Sequence, residues 1–130
     1  MTQNVSPIFE LVVTDKGVQF TDADTTTKKN IQTGGANGTR IDAIFCSTND
    51  TVAVNLAFYI NDGVTDFYIG NVNVPRGAGY TTVGRVEAMA VLSPVLGYLV
   101  LPASYILKAN CVATMTAAKI TDVLAMGGDY

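Results

Sequence analysis

The chain has 130 residues, a net charge of −3 and only eight Lys plus Arg, none in a run longer than Lys28-Lys29. Binding a nucleic-acid backbone needs clustered cations, so that class is set aside. There is no His, which removes the commonest general base and metal ligand together with Ser/His and Cys/His arrangements.

Other bounds follow from composition. This length fits one domain, 1–130, that buries roughly two-thirds of its unfolded surface. Charged residues make up 15% and apolar residues 48%, against about a quarter charged in an average domain. Such a balance suits a chain that covers part of its surface with partners. Cys46 and Cys111 stand 65 residues apart in apolar runs and read as buried free thiols, consistent with a reducing compartment of synthesis. Met1–Glu10 has no basic region followed by an apolar core, hence no secretory signal. Ala88–Leu101 is too short to span a bilayer and carries Pro94 and Gly97, so no membrane association is expected.

In chain order, residues 1–6 are polar and read as a flexible arm. Pro7–Val13 reads as a strand, Asp15-Lys16-Gly17 as a turn, and Val18-Gln19-Phe20 as the start of another strand. Thr21–Asn30, apolar only at Ala23, reads as a loop. Ile31–Thr33 leads into Gly34–Gly38, where three glycines and Asn37 supply a tight reversal.

The strongest signal is Thr39–Gly63. Ile41, Ala43 and Phe45 alternate with Arg40, Asp42, Ile44 and Cys46. Val52, Val54, Leu56, Phe58 and Ile60 alternate with Ala53, Asn55, Ala57 and Tyr59. A period of two marks strands, and Ser47–Asp50 between them is made of turn formers. The stretch predicts an antiparallel hairpin with its apolar faces at the centre of the core. Asn61-Asp62-Gly63 is a second turn. Phe67–Val74 is a strand in which Gly70 signals a bulge or a close backbone approach. Pro75–Thr82 is a loop, and Val86–Leu92 a strand with a weaker helical alternative at Ala88–Ala90. Val95–Leu101 and Ser104–Met115 are strands, Thr116–Lys119 is a turn, and Ile120–Met126 is the last strand. Eight or nine strands with frequent turns and no amphipathic helix predict an all-β antiparallel sandwich of jelly-roll type.

No constellation carries chemistry convincingly, and no catalytic, cofactor or metal residue is assigned. Gly34–Gly38 lacks the Lys-Ser/Thr of a phosphate loop. Asp22 and Asp24, or Asn61, Asp62 and Asp66, imitate calcium loops without the distal Glu. Glu10 and Glu87, the only glutamates, form no evident carboxylate pair. Tyr59, Tyr68, Tyr80, Tyr98, Tyr105 and Tyr130 keep a glycan site open, although there is no Trp.

Four blocks resemble small virion proteins of tailed bacteriophages. Gly35–Ile44 (GANGTRIDAI) is similar to a GANGSRVDAI-like start, Leu56–Gly63 to a strand ending in I-N-x-G, Leu101–Leu107 (LPASYIL) to an LPAGYxL segment, and Gly127–Tyr130 to a terminal GGDY. Together they fall within residues 31–130. The resemblance is to capsid decoration, or cement, proteins. It implies a jelly-roll-like sandwich on the virion surface, made in the host cytoplasm. It also implies contact with a major capsid protein, homo-oligomerisation as dimer or trimer, and no active site, cofactor, nucleic acid, membrane or small-molecule substrate. On this reading Met1–Val13 and Thr21–Asn30 lie at subunit or capsid contacts, and the Gly-Gly pair lets the backbone turn so that Tyr130 docks. The alternative is a tail or baseplate component that binds a host glycan.

Overall fold

The computed structural model describes residues 12–130. Two antiparallel sheets face each other. The first runs β1 (Val12–Thr21), β9 (Ile120–Asp129), β3 (Thr39–Thr48) and then β6 (Val86–Glu87), with β7 (Leu99–Leu101) pairing further along β3. The second runs β2 (Lys29–Thr33), β8 (Ile106–Cys111), β4 (Val54–Asn61) and β5 (Asp66–Val74). With β6 and β7 taken as one interrupted strand, each sheet has four strands and the chain crosses between them at almost every connection. This is jelly-roll wiring, as the sequence predicts. The interruption contains the one-turn helix α1 (Met89–Leu92), which buries Met89 and Leu92. The core is aliphatic and aromatic, with Phe20, Ile41, Ile44, Leu56, Phe58, Leu101 and Leu107 no more than 1% exposed.

The expected Thr39–Gly63 hairpin does not form. β3 and β4 belong to opposite sheets and pair with β9 and β8 respectively. Two strands that each own an apolar face bury more by facing one another than by lying side by side. The intervening polar residues hold the crossing. Asn49 donates its N–H to the Ile120 carbonyl at 3.2 Å, and its side-chain oxygen accepts the Ile120 N–H at 2.8 Å. Asp50 is buried, accepting the Thr116 hydroxyl at 2.7 Å, the Thr116 N–H at 3.0 Å and the Val52 N–H at 3.2 Å. These hydrogen bonds hold its carboxyl below the usual range although burial alone would raise it.

The alternation along β3 also changes phase. A bulge between Ile41 and Ala43 turns Thr39, Ile41, Ile44, Cys46 and Thr48 inward. Ala43 and Phe45 therefore leave the core, and Phe45 lies under the Arg85 guanidinium at 4.0 Å. In β4 the expected face holds at Val54, Leu56 and Phe58, whereas Val52 is exposed.

Other boundaries move for tertiary reasons. Asp15-Lys16-Gly17 is not a turn, because β9 pairs with β1 without a break from Val12↔Asp129 to Thr21↔Ile120. The expected Thr21–Asn30 loop is shorter, with a 3-10 turn at Asp22–Asp24 and β2 starting at Lys29. Val86–Leu92 divides into β6 and α1, because Ala88 turns its N–H to the Ile44 carbonyl and starts a helical turn. Only Leu99–Leu101 of the expected Val95–Leu101 strand is extended, and only Ile106–Cys111 of Ser104–Met115. The Asn61–Gly63 turn closes the β4–β5 hairpin as expected. Gly70 lies at the β5 bulge, where an added Cβ would stand 3.1 Å from Leu92 Cδ2. The approach there is by a side chain of α1 and not by another backbone. The expected strand from Pro7 and the arm at 1–6 lie outside the described residues.

Candidate functional site

The residues that drew attention in the sequence fall into four places. The first is a corner where three of the four phage-like blocks meet. The Gly34 N–H donates to the Tyr105 carbonyl at 2.7 Å, the Ser104 N–H to the Gly34 carbonyl at 3.2 Å, and the Tyr130 N–H to the Gly38 carbonyl at 3.1 Å. The Thr39 hydroxyl donates to the Asp129 carboxylate and accepts the Gly35 N–H. Gly127 is not in a turn but inside β9, opposite the β3 bulge, where any Cβ would collide with the Arg40 carbonyl. Gly34 is crowded in the same way by the Pro102 carbonyl. GG-A-N-G, LPASY and GGDY thus form one structural joint, held by backbone hydrogen bonds and by the Thr39–Asp129 side-chain pair. Gly38 (φ +92°) makes the reversal. No phosphate-type cradle opens a helix there.

The acids of the calcium-like patterns are engaged internally. Asp24 accepts the Thr21 N–H at 2.8 Å and Lys29 Nζ at 3.1 Å, which hold its carboxyl low. Asp66 accepts Asn61 Nδ2 at 2.7 Å and Lys28 Nζ at 2.9 Å, with Lys108 at 3.6 Å, and is likewise held low. Asp62 caps the N–H groups of Thr65 and Val64. Asp22 lies in the 3-10 turn. Glu87 accepts the Ile44 N–H at 3.0 Å across the sheet; Glu10 lies outside the described residues. Among the described residues no three His, Cys, Asp or Glu side chains gather around a common point.

Cys46 and Cys111 are free and buried. Burial, reinforced at Cys46 by Glu87, pushes the thiols up to about 12 and about 11 respectively. Both are poor nucleophiles at neutral pH.

The tyrosines divide. Tyr59 and Tyr68 pair on the outer face of the second sheet with ring centroids 5.8 Å apart, and Lys28 Nζ sits 4.1 Å above Tyr59. Tyr68 is more than half exposed, so this aromatic pair is open to solvent; Phe67, opposite Ile60, lies on the other face of the strand. Arg40 covers Tyr98 at 4.1 Å. Tyr80 donates its hydroxyl to Asp122 at 2.6 Å. Tyr105 and Tyr130 belong to the corner.

Two surfaces escaped the sequence reading. From Ala88 to Leu107 there is no charged residue. This run places Val91, Val95, Leu96 and Val100 on the surface, Val95 at 93% and Leu96 at 64% exposure. The sequence signal is the length of the uncharged run, whose apolar stretches predict strands without saying which side chains are covered. The second surface is the edge of β1 that no other described strand pairs with, where Val12 and Val13 are 57% and 83% exposed. Beside it, a groove of about 710 Å³ opens between Val12–Lys16 and Ile31–Thr33.

Among the described residues no helix is long and apolar enough to cross a membrane. Neither known protein families nor curated proteins offer a match to this chain.

Proposed function

We propose that this chain is a structural protein of a bacteriophage virion, a capsid decoration protein that binds the outside of a shell of major capsid protein and stabilises it. It would be made in the host cytoplasm and assemble with copies of itself. The observation that carries the reading is the uncharged tip. Val91, Val95, Leu96 and Val100 stand in water with no charge from Ala88 to Leu107, and protein contacts are depleted of charge at their centres. The four phage-like blocks, three of them in one corner, support it. The jelly roll accommodates it without deciding it, since the same wiring serves capsid and lectin domains.

The mode of action is linkage. A protein that binds only the assembled shell stabilises that shell by mass action, and the shell's symmetry repeats each weak contact into avidity. No catalytic step, cofactor or small-molecule substrate enters the proposal.

The test is a pull-down of the purified chain on expanded, undecorated capsids. Saturable binding at a fixed ratio to the shell subunit, lost in Val95→Asp, supports the reading; absence of binding overturns it. The exposed Tyr59/Tyr68 pair favours a second reading, a tail or baseplate component binding a host glycan. Retention on a glycan array without capsid binding, abolished by Tyr68→Ala, would establish that one instead.

A further inference from the structure

We infer that the outer face of the second sheet binds a neutral polysaccharide, laid along β4 between Tyr68 and the Asn55–Asn73 pair. The inference rests on the glycan reading above and deepens it, by naming the surface and the class of sugar.

Strand register shows what this face carries. In β4, Leu56 and Phe58 are buried toward the first sheet, and Asn55, Ala57, Tyr59 and Asn61 alternate with them. Asn73, Asn71, Tyr68 and Asp66 of β5 stand opposite these four. On the other side, Asn110 and Lys108 of β8 stand opposite Ala57 and Tyr59, and Asn30 of β2 stands opposite Lys108. Six of the nine asparagines of the chain, Asn30, Asn55, Asn61, Asn71, Asn73 and Asn110, therefore share one face. Asparagine is depleted in strands. Asn61 has a turn to serve, since its side-chain oxygen accepts the Gly63 N–H at 2.7 Å. Sheet formation gives no such reason for the other five.

Their chemistry suits hydroxyl groups. An amide both donates and accepts, as a hydroxyl does, and carries no charge. Asn73 Nδ2 donates to Asn55 Oδ1 at 2.8 Å, which leaves Asn55 Nδ2 and Asn73 Oδ1 for a ligand; both residues are exposed. Asn71 is exposed too. Asn110 Oδ1 is buried and has no donor among the described residues, while its Nδ2 is held by the Thr26 carbonyl at 3.1 Å. An acceptor left unpaired costs free energy that a hydroxyl donor recovers. At the other end Tyr68, 58% exposed and tilted against Tyr59, offers a ring to the C–H face of a sugar. Between the rings and the amide pair lies Ala57, whose side chain ends at Cβ, flanked by Asn71 and Asn110. Asn55 to Tyr59 spans about 13 Å of strand, the length of a short run of sugar rings.

The same residues disfavour other ligands. Lys28 and Lys108 both turn to Asp66, at 2.9 and 3.6 Å. They form no open clamp for a carboxylate or phosphate, and the chain carries a net charge of −3. A polyanion needs clustered cations. A protein partner favours an apolar centre inside a polar rim; here amides flank the centre.

The test is affinity electrophoresis of the full chain through native gels that contain dextran, mannan, galactan or xylan, with polygalacturonate as the acidic comparison. At least one neutral polymer is expected to retard the chain. Tyr68→Ala should weaken that binding about tenfold, and Asn71→Asp roughly fivefold. Tyr80→Ala, an exposed tyrosine off this face, should leave it unchanged. Unfolding transitions confirm that each variant is folded. Retardation by a neutral polymer that survives both Tyr68→Ala and Asn71→Asp overturns the inference and spares the glycan reading, as does stronger retardation by polygalacturonate than by any neutral polymer. No retardation by any of the five overturns both. The capsid pull-down reads the decoration proposal separately.

Discussion

β1 and β9 are both ten residues long and hydrogen-bond to each other along their whole length, yet they differ in almost everything else. β9 has strands on both sides and buries Thr121, Val123 and Ala125 beneath the second sheet. Among the described residues β1 has one neighbour in the sheet and buries only Phe20 fully. Backbone pairing fixes where a strand lies; the facing layer decides whether its side chains stabilise the fold. Interior strands hold the molecule together, and β1 adds little side-chain burial beyond Phe20.

The most severe break in this comparison is Gly127→Val. Its Cβ would strike the backbone of Arg40 and Ile41, which cannot move without undoing the β3 bulge. The expected result is loss of the cooperative unfolding transition by circular dichroism. Next is Phe20→Ala, at the one fully buried position of β1, which should cost about 3–5 kcal/mol in denaturant unfolding. Asp50→Ala, at the crossing from β3 to β4, strands the donors of Thr116 just before β9 and should cost about 1–3 kcal/mol. The charge of Asp50 also gives a pH signature. Its folded pKa lies below the ordinary 3.8, so its contribution is present above that value and is lost as pH falls through the folded pKa. Acid titration of Asp50→Asn should lack that component.

The thiols act at the opposite end of the scale. Both folded pKa values, about 12 and about 11, lie above the ordinary 9.0. Their contribution is complete below pH 9 and is withdrawn as pH rises from there toward those values. Unfolding followed between pH 8 and 11 should therefore show alkaline loss that Cys46→Ala reduces. The smallest effect belongs to Val13→Ser, within about 0.5 kcal/mol when measured at dilutions where the chain is monomeric. A larger loss there would mean that β1 contributes to the single chain more than its exposure implies.

The sheet content of this molecule is written in period-two runs, and the jelly-roll type follows from strand number and turn spacing. What the sequence conceals is which strand meets which. Ser47–Asp50 has the composition of a hairpin turn, but its polar groups are partners for Ile120 and Thr116, some seventy residues away. No local pattern announces that. The β3 bulge is equally silent, and through it Ile44 and Cys46 replace Ala43 and Phe45 in the core. Asp15-Lys16-Gly17 looks like a turn because local preference favours one; β9 overrides it with an unbroken ladder. The two exposed surfaces are not legible locally, because an apolar run that marks a strand does not say which face is covered. Only the fold shows that Val95 and Leu96 overhang it.

The antiparallel register that sets Val12 beside Asp129 has a mechanical meaning. A load applied between these two points peels the β1–β9 ladder one pair at a time, starting from the end, and never shears all ten pairs together. Val12 and Asp129 also sit side by side at one pole of the sandwich. A cross-link between Val12 and Asp129 would bridge neighbouring strands without crossing the domain.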